Sequence, residues 1–206
     1  RGNPVSLLTS LVKRVRSGRG LRTSLRSTIA IGDRFGFLFG TGVVEGFLHA
    51  YYANGTPTPL GAAGVLARGV AAAVVGGPLV RRIAAPCRAS VDFADGAHWP
   101  LQDYLTLAAG TVDQIGLGFR PFLRCDERPE SFHLLGIYAP VVDLARELPR
   151  IRLARPMRPG HALDRVSDHA TIRFESGLAR YMLDGELFET PGDLTLTAGP
   201  TIAIVR

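Results

Sequence analysis

The sequence predicts an α+β fold that is mainly β, a β-sandwich carrying a few packed helices. Three observations predict it. From Arg81 onward, short apolar runs follow one another at short spacing with turn residues between them, the pattern of a sandwich. Helical spacing is confined to a few segments. The 206 residues are 46% hydrophobic and 20% charged, which suits a globular fold with a sizeable core and excludes disorder.

Taken in order, residues 5–17 carry Val5, Leu7, Leu8, Leu11, Val12 and Val15 at helical spacing, with Lys13, Arg14 and Arg16 off the stripe. Ser17-Gly18 ends that helix. Residues 22–31 change period and read as a strand, followed by a turn at Gly32-Asp33. The run from Phe35 through Gly40 predicts one buried strand ending in a glycine-rich turn, and residues 43–52 begin a helix. After a loop at 54–59, a helix is expected over about 60–75, stopped by Gly76-Gly77-Pro78. A hairpin is expected between 83–93 and 99–109, turning at Ala94-Asp95-Gly96. Further strands are expected at 117–124, 131–138, 169–174, 178–183, 194–198 and 201–205, with one helix at about 140–148 between Pro140 and Pro149. Asp184-Gly185-Glu186 and Pro191-Gly192-Asp193 are turns between short strands.

The charge is local. Residues 1–32 hold seven basic residues and no acid, so the remainder carries 17 basic against 18 acidic residues. Such a patch suits phosphate groups or an anionic membrane surface. Nucleic-acid binding is not expected, because no aromatic-rich basic motif or reading helix accompanies the patch. Cys87 and Cys125 sit in no CxxC, which argues against a disulfide framework or zinc site and for reduced thiols in a cytoplasmic protein. No signal-peptide pattern is visible, and the apolar stretch Leu60–Val80 contains Arg68 and is too rich in Gly and Ala to span a membrane. Arginine dominates the basic residues, Lys13 being the only lysine, a bias of GC-rich bacterial genomes. The start at Arg-Gly-Asn-Pro, without Met, reads as a domain cut from a longer protein.

Complete catalytic signatures are absent: no GxSxG, HExxH, Walker loop or Rossmann fingerprint occurs. The five histidines are not paired at metal-ligand spacing, and Trp99 reads as a core aromatic. Two features stand above this background. In Asp184-Gly185-Glu186, carboxylates flank a glycine at a turn, where one can take a proton from a hydroxyl or act near a metal-phosphate; the plain alternative is a hairpin turn, since Asp-Gly is a strong hairpin signal. In Phe37–Glu45, a strand ends in Gly40-Thr41-Gly42 and then an acid, a place where ligand meets backbone or where strand packs closely on helix.

The order of these parts resembles the C-terminal half of the diacylglycerol kinase catalytic family, the bacterial lipid kinases related to sphingosine kinases. The parts are the helix Leu7–Val15, the strand and glycine segment Ile29–Glu45, the small-residue helix Leu60–Val75, the β-rich run from Arg81, the late Leu183–Glu186 turn, and the closing strands Leu194–Thr197 and Thr201–Val205. The resemblance implies the C-terminal domain of the NAD kinase/diacylglycerol kinase-like fold over residues 1–206. It also implies an ATP- and Mg-dependent transfer of the γ-phosphate to a lipid hydroxyl such as that of diacylglycerol. The family's Gly-Gly-Asp-Gly phosphate loop does not occur in the sequence and would lie before Arg1, in a missing N-terminal ATP-binding domain, so this chain alone is expected to be inactive.

By the same resemblance, Glu186 would be the general base, Asp184 would help hold the nucleotide–metal side, and Gly185, Gly42 and Glu45 would lie toward nucleotide or substrate. Where bacterial members carry an acidic turn for a structural Mg, this chain has Cys125-Asp-Glu-Arg-Pro-Glu-Ser-Phe; Asp126, Glu127 or Glu130 could substitute only at altered spacing, and no metal is assigned. Peripheral membrane contact is compatible with the N-terminal patch, and the oligomeric state, a dimer included, is left open. The alternatives are a non-catalytic β-sandwich that binds lipid or protein, and the C-terminal domain of an NAD kinase, whose polar base-reading residues are not found here.

Overall fold

Alternation decides the architecture. In Cys87–Phe93 the residues Ala89, Val91 and Phe93 are buried while Arg88, Ser90 and Asp92 take the other face, the period of a half-buried strand. The computed structural model describes residues 4–18, 20–21, 23–52, 64 and 85–205. Its elements are α1 (Pro4–Arg16), β1 (Thr23–Ile31), β2 (Arg34–Gly36), β3 (Leu38–Gly40), α2 (Val43–Tyr52), β4 (Cys87–Phe93), β5 (His98–Tyr104), β6 (Thr106–Gly110), β7 (Phe132–Ile137), α3 (Val141–Arg152), β8 (Ala162–Ser167), β9 (His169–Phe174), β10 (Leu178–Leu183), β11 (Glu186–Pro191) and β12 (Leu194–Val205). No helix among the described residues is long and apolar enough to cross a membrane. The helix expected over 60–75 lies outside the described residues, Gly64 excepted.

The chain divides into two units, Arg1–Arg26 with Thr201–Arg206, and Ser27–Pro200. In the first, α1 forms as its spacing predicts. Its last turn carries Lys13, Arg14 and Arg16, where cations meet the negative end of the helix dipole. Ser17 N–H closes on Lys13 O, and Gly18 takes a left-handed conformation, ending the helix. Val5, Leu8, Val12 and Val15, one stripe of α1, are all exposed.

The second unit holds the sandwich, apart from the outer ends of β1 and β12. One sheet runs β2-β1-β12-β9-β4-β5 and the other β11-β10-β3-β6-β7-β8. Their inner faces make one core that includes Ile29, Val91, Ile172 and Leu196 from the first sheet and Phe39, Leu107, Leu134 and Tyr181 from the second. The second sheet is covered on its outer face as well. Leu135, Ile137 and Ala108 pack with Phe122, Cys125 and Leu144 of α3. That is why β6 and β7 are buried throughout and are apolar but for Thr106 and His133. Glu147 of α3, fully buried, ties this layer down through Arg158 (3.1 Å) and His161 (3.0 Å).

Several boundaries differ from expectation, each for a physical reason. The expected strand at 35–40 is two strands in different sheets, and so is the expected strand at 99–109. The chain changes sheets at Phe37 and again at Leu105, and hydrophobicity does not mark either crossing, since Tyr104 and Leu107 on the two sides of the second lie in one core with Phe39. Residues 117–124 form no strand: Leu117 and Gly118 have positive φ and Pro121 lacks an N–H, so the segment loops to deliver Phe122 to the outer layer. Conversely, β12 continues through Gly199-Pro200. A Cβ on Gly199 would lie 2.5 Å from the Thr28 hydroxyl, so that glycine serves close approach to β1, and Pro200 O accepts the Thr28 hydroxyl at 2.9 Å. Helix α3 runs past Pro149, which forfeits one backbone bond, because Leu153 N–H returns to Pro149 O and Ile151 is buried. The unanticipated β8 alternates weakly and is specified by six-residue pairing with β7.

Candidate functional site

The site is built where β10 ends. Leu183 pairs with Glu186, so Asp184 and Gly185 alone make the turn into β11. Both have positive φ, +49° and +95°, the geometry of a tight hairpin turn that matches strand twist and admits Asp followed by Gly.

Asp184 does more than turn. Its Oδ1 accepts the N–H groups of Phe37 (2.9 Å) and Leu38 (2.8 Å), and its Oδ2 accepts Phe37 N–H as well (3.0 Å). Its own N–H donates to Leu38 O at 2.9 Å. These are the amides at the point where the chain leaves β2 for β3. A backbone changing sheets has no ladder partner for its N–H groups, and the Asp184 carboxylate supplies one. Gly36 lets the strands approach: a Cβ there would lie 2.7 Å from Leu183 Cγ and 3.1 Å from Asp184 Cγ. The Tyr52 hydroxyl, at the end of α2, donates to Gly185 O at 2.7 Å, and Gly185 N–H points to the Met182 sulfur at 3.1 Å. The turn is thus held on three sides.

Glu186 is exposed, and its carboxylate has no hydrogen bond or ion pair among the described residues. Of the two carboxylates, one is committed to the backbone and the other is available. Thr111 N–H donates to Phe37 O at 3.0 Å, so the end of β6 adjoins the same place.

The remaining expected site residues lie apart from the turn. Glu45 is in the first turn of α2 and is paired with His49 at 3.0 Å. It stands seven residues from Tyr52, or ~10 Å along the helix. Gly42 has φ +59°, and a Cβ on it would sit 2.3 Å from Leu105 O. Thr41 N–H and Val43 N–H on either side bond Leu107 O and Leu105 O, both at 2.9 Å. Gly42 therefore serves close packing of the β3–α2 connection on the β5–β6 crossing.

Asp184, expected to help hold the nucleotide–metal side, is engaged by the backbone. Three amide N–H contacts occupy its oxygens, and among the described residues no three His, Cys, Asp or Glu side chains gather as a metal cradle. Glu127 is instead taken up by Arg124, at 2.7 and 2.9 Å. Sequence reading missed Tyr52 and the Phe37 and Leu38 amides. The only signal for them was Gly36 within an aromatic run, which marks close approach without saying to what.

The two-sheet sandwich is similar in fold to solved structures described as diacylglycerol kinases. A solved structure from Bacillus anthracis str. Sterne described as a "putative diacylglycerol kinase" matches with a TM-score of 0.58 at 13% identity, covering 87% of this chain and 56% of that one. A second, described as a diacylglycerol kinase from the same organism, matches with a TM-score of 0.52 at 9% identity, covering 87% of this chain and 53% of its own. A third matches with a TM-score of 0.57 at 12% identity and 86% coverage, over 55% of its length. The chain thus spans just over half the length of these structures. No protein-family model matches it, and no curated protein matches it in sequence.

Proposed function

We propose that this chain is the acceptor-side part of an ATP- and Mg-dependent lipid kinase that transfers the γ-phosphate to a lipid hydroxyl such as that of diacylglycerol. The observation that carries the reading is Glu186: an exposed carboxylate, without a partner among the described residues, on a turn held by Asp184 and Tyr52, within a diacylglycerol kinase-like fold. In this role Glu186 accepts the proton of the attacking hydroxyl. Asp184 is a positioning residue, because its carboxylate fixes the turn through the Phe37 and Leu38 amides. A positioned base contributes about 10²- to 10⁴-fold. The phosphate cradle would come from a nucleotide-binding domain of the same protein beyond this sequence, in keeping with the chain's 53–56% span of the first two matched structures. The cationic N-terminal segment is proposed to favour peripheral contact with an anionic membrane, in a cytoplasmic setting.

Two measurements test this. The isolated chain, given ATP, Mg²⁺ and diacylglycerol, is expected to form no phosphatidate; formation at an enzyme-like rate refutes its dependence on a further domain. In the whole protein, Glu186→Gln is expected to lower kcat by at least about 100-fold with little change in KM. Unchanged turnover would sink the assignment and favour a non-catalytic lipid- or protein-binding module.

A further inference from the structure

Resting on the lipid-kinase reading, we propose that Arg34 binds the terminal phosphate group, carried by the nucleotide or by the phosphorylated lipid, at the rim between β2 and β11. These are edge strands of the two sheets, and side chains bring them together at this rim, Arg34 of β2 lying over Phe188 of β11. Gly36 of β2 lies against Leu183 and Asp184. Arg34, two residues earlier on the same face of β2, sets its guanidinium carbon 4.6 Å from the centre of the Phe188 ring. Phe188 in turn is two residues from Glu186 on one face of β11, ~7 Å along the strand. The guanidinium and the Glu186 carboxylate therefore share one rim, and both residues are exposed.

The chemistry follows from what each group already holds. Asp184 has its charge met by amide N–H groups, whereas Glu186 is uncompensated. A phosphate brought beside Glu186 meets like charge, which a neighbouring cation must offset. Arg34 has the right form for it. The Phe188 ring beneath it orients the planar fork, and its ion pair with Asp33 is long, 3.5 Å, to a side chain 91% exposed, so its donors are not consumed. An acceptor hydroxyl whose proton goes to Glu186 would then have the phosphate it attacks, or has just received, within reach of Arg34.

The test uses the chain itself, titrated by calorimetry with dihexanoyl phosphatidate, ATP and inorganic phosphate. Wild type is expected to bind phosphatidate, and Arg34→Ala to weaken it about tenfold or more, with Arg34→Lys between, because a point charge replaces a bidentate fork. Arg180→Ala removes another exposed arginine, paired with Glu189 at 2.8 Å on the outer face of the second sheet, and should change nothing. Competition by ATP that is also lost in Arg34→Ala assigns the phosphate to the nucleotide; its absence assigns it to the lipid. Phosphatidate binding that is undetectable in wild type, or equal in Arg34→Ala and wild type, overturns the proposal. Failure of the kinase reading is separate: it appears as Glu186→Gln retaining turnover in the whole protein, whatever the chain binds.

Discussion

Asp184 can be removed in steps that separate its two jobs. Asp184→Gly keeps a residue suited to φ +49° but deletes the acceptor for the Phe37 and Leu38 amides. Bonds to a charged group contribute roughly 1.5–3 kcal/mol each when buried; here the carboxylate is exposed and the amides half-buried, so water replaces part of the loss and roughly 2–3 kcal/mol in total is expected. Asp184→Ala adds the cost of a left-handed alanine, about 1 kcal/mol more. Asp184→Asn keeps one acceptor and tolerates the same φ, so about 1–2 kcal/mol is expected. For a chain of this size about 1 kcal/mol moves Tm by 2–4 °C, which puts Asp184→Gly roughly 5–10 °C below wild type. Thermal unfolding followed by circular dichroism reads the ranking, and hydrogen exchange reads the cause: the Phe37 and Leu38 amides should lose protection while that of Phe39, in the core, persists. Asp184→Gly within about 0.5 kcal/mol of wild type, with those amides still protected, would show that the carboxylate does not hold the crossing.

Two further outcomes test the packing and the electrostatics. Gly42→Ala should cost about 2–4 kcal/mol in urea unfolding, since a left-handed alanine there also displaces Leu105 O. Gly160→Ala, at φ +82° with open space around it, should cost only about 1 kcal/mol, and equal losses would discount the overlap. Burial disfavours the Asp164 carboxylate, but the close approach of His133 (3.1 Å) and the Arg124 guanidinium outweigh burial and hold its carboxyl below the usual range. A depressed carboxyl stabilises the fold above its unfolded value, about 3.9, and loses that contribution as pH falls through the folded value. Asp164→Asn should therefore lower Tm at neutral pH and converge with wild type in acid; parallel Tm–pH curves would contradict the sign.

Much of the fold is legible in residue order because local periodicity is a local property. The α1 stripe, the alternation of β4, the Asp184-Gly185 turn and the pairing of β10 with β11 all rest on neighbours within a few residues. The resemblance in the order of parts reached the fold although identity with the matched structures is only 13% and 9%, since burial pattern survives where identity does not. The sheet crossings at Phe37 and Leu105 were not legible. Tyr104 before the second crossing and Leu107 after it lie in the same core, so hydrophobicity does not mark the change. Nor was β8, which is specified by its pairing partner and hardly by its own residues.

The sequence alone therefore determined the presence of a hairpin with two carboxylates, because Asp-Gly dictates its own turn. Only the tertiary structure decided how they differ. Asp184 lies 147 positions from Phe37 in the chain, yet the fold sets it on that residue's N–H and spends its charge on the crossing. Glu186, two residues on, is exposed, and its carboxylate has no partner among the described residues. Residue type is a local fact; which charges are already satisfied depends on partners that only folding brings within about 3 Å.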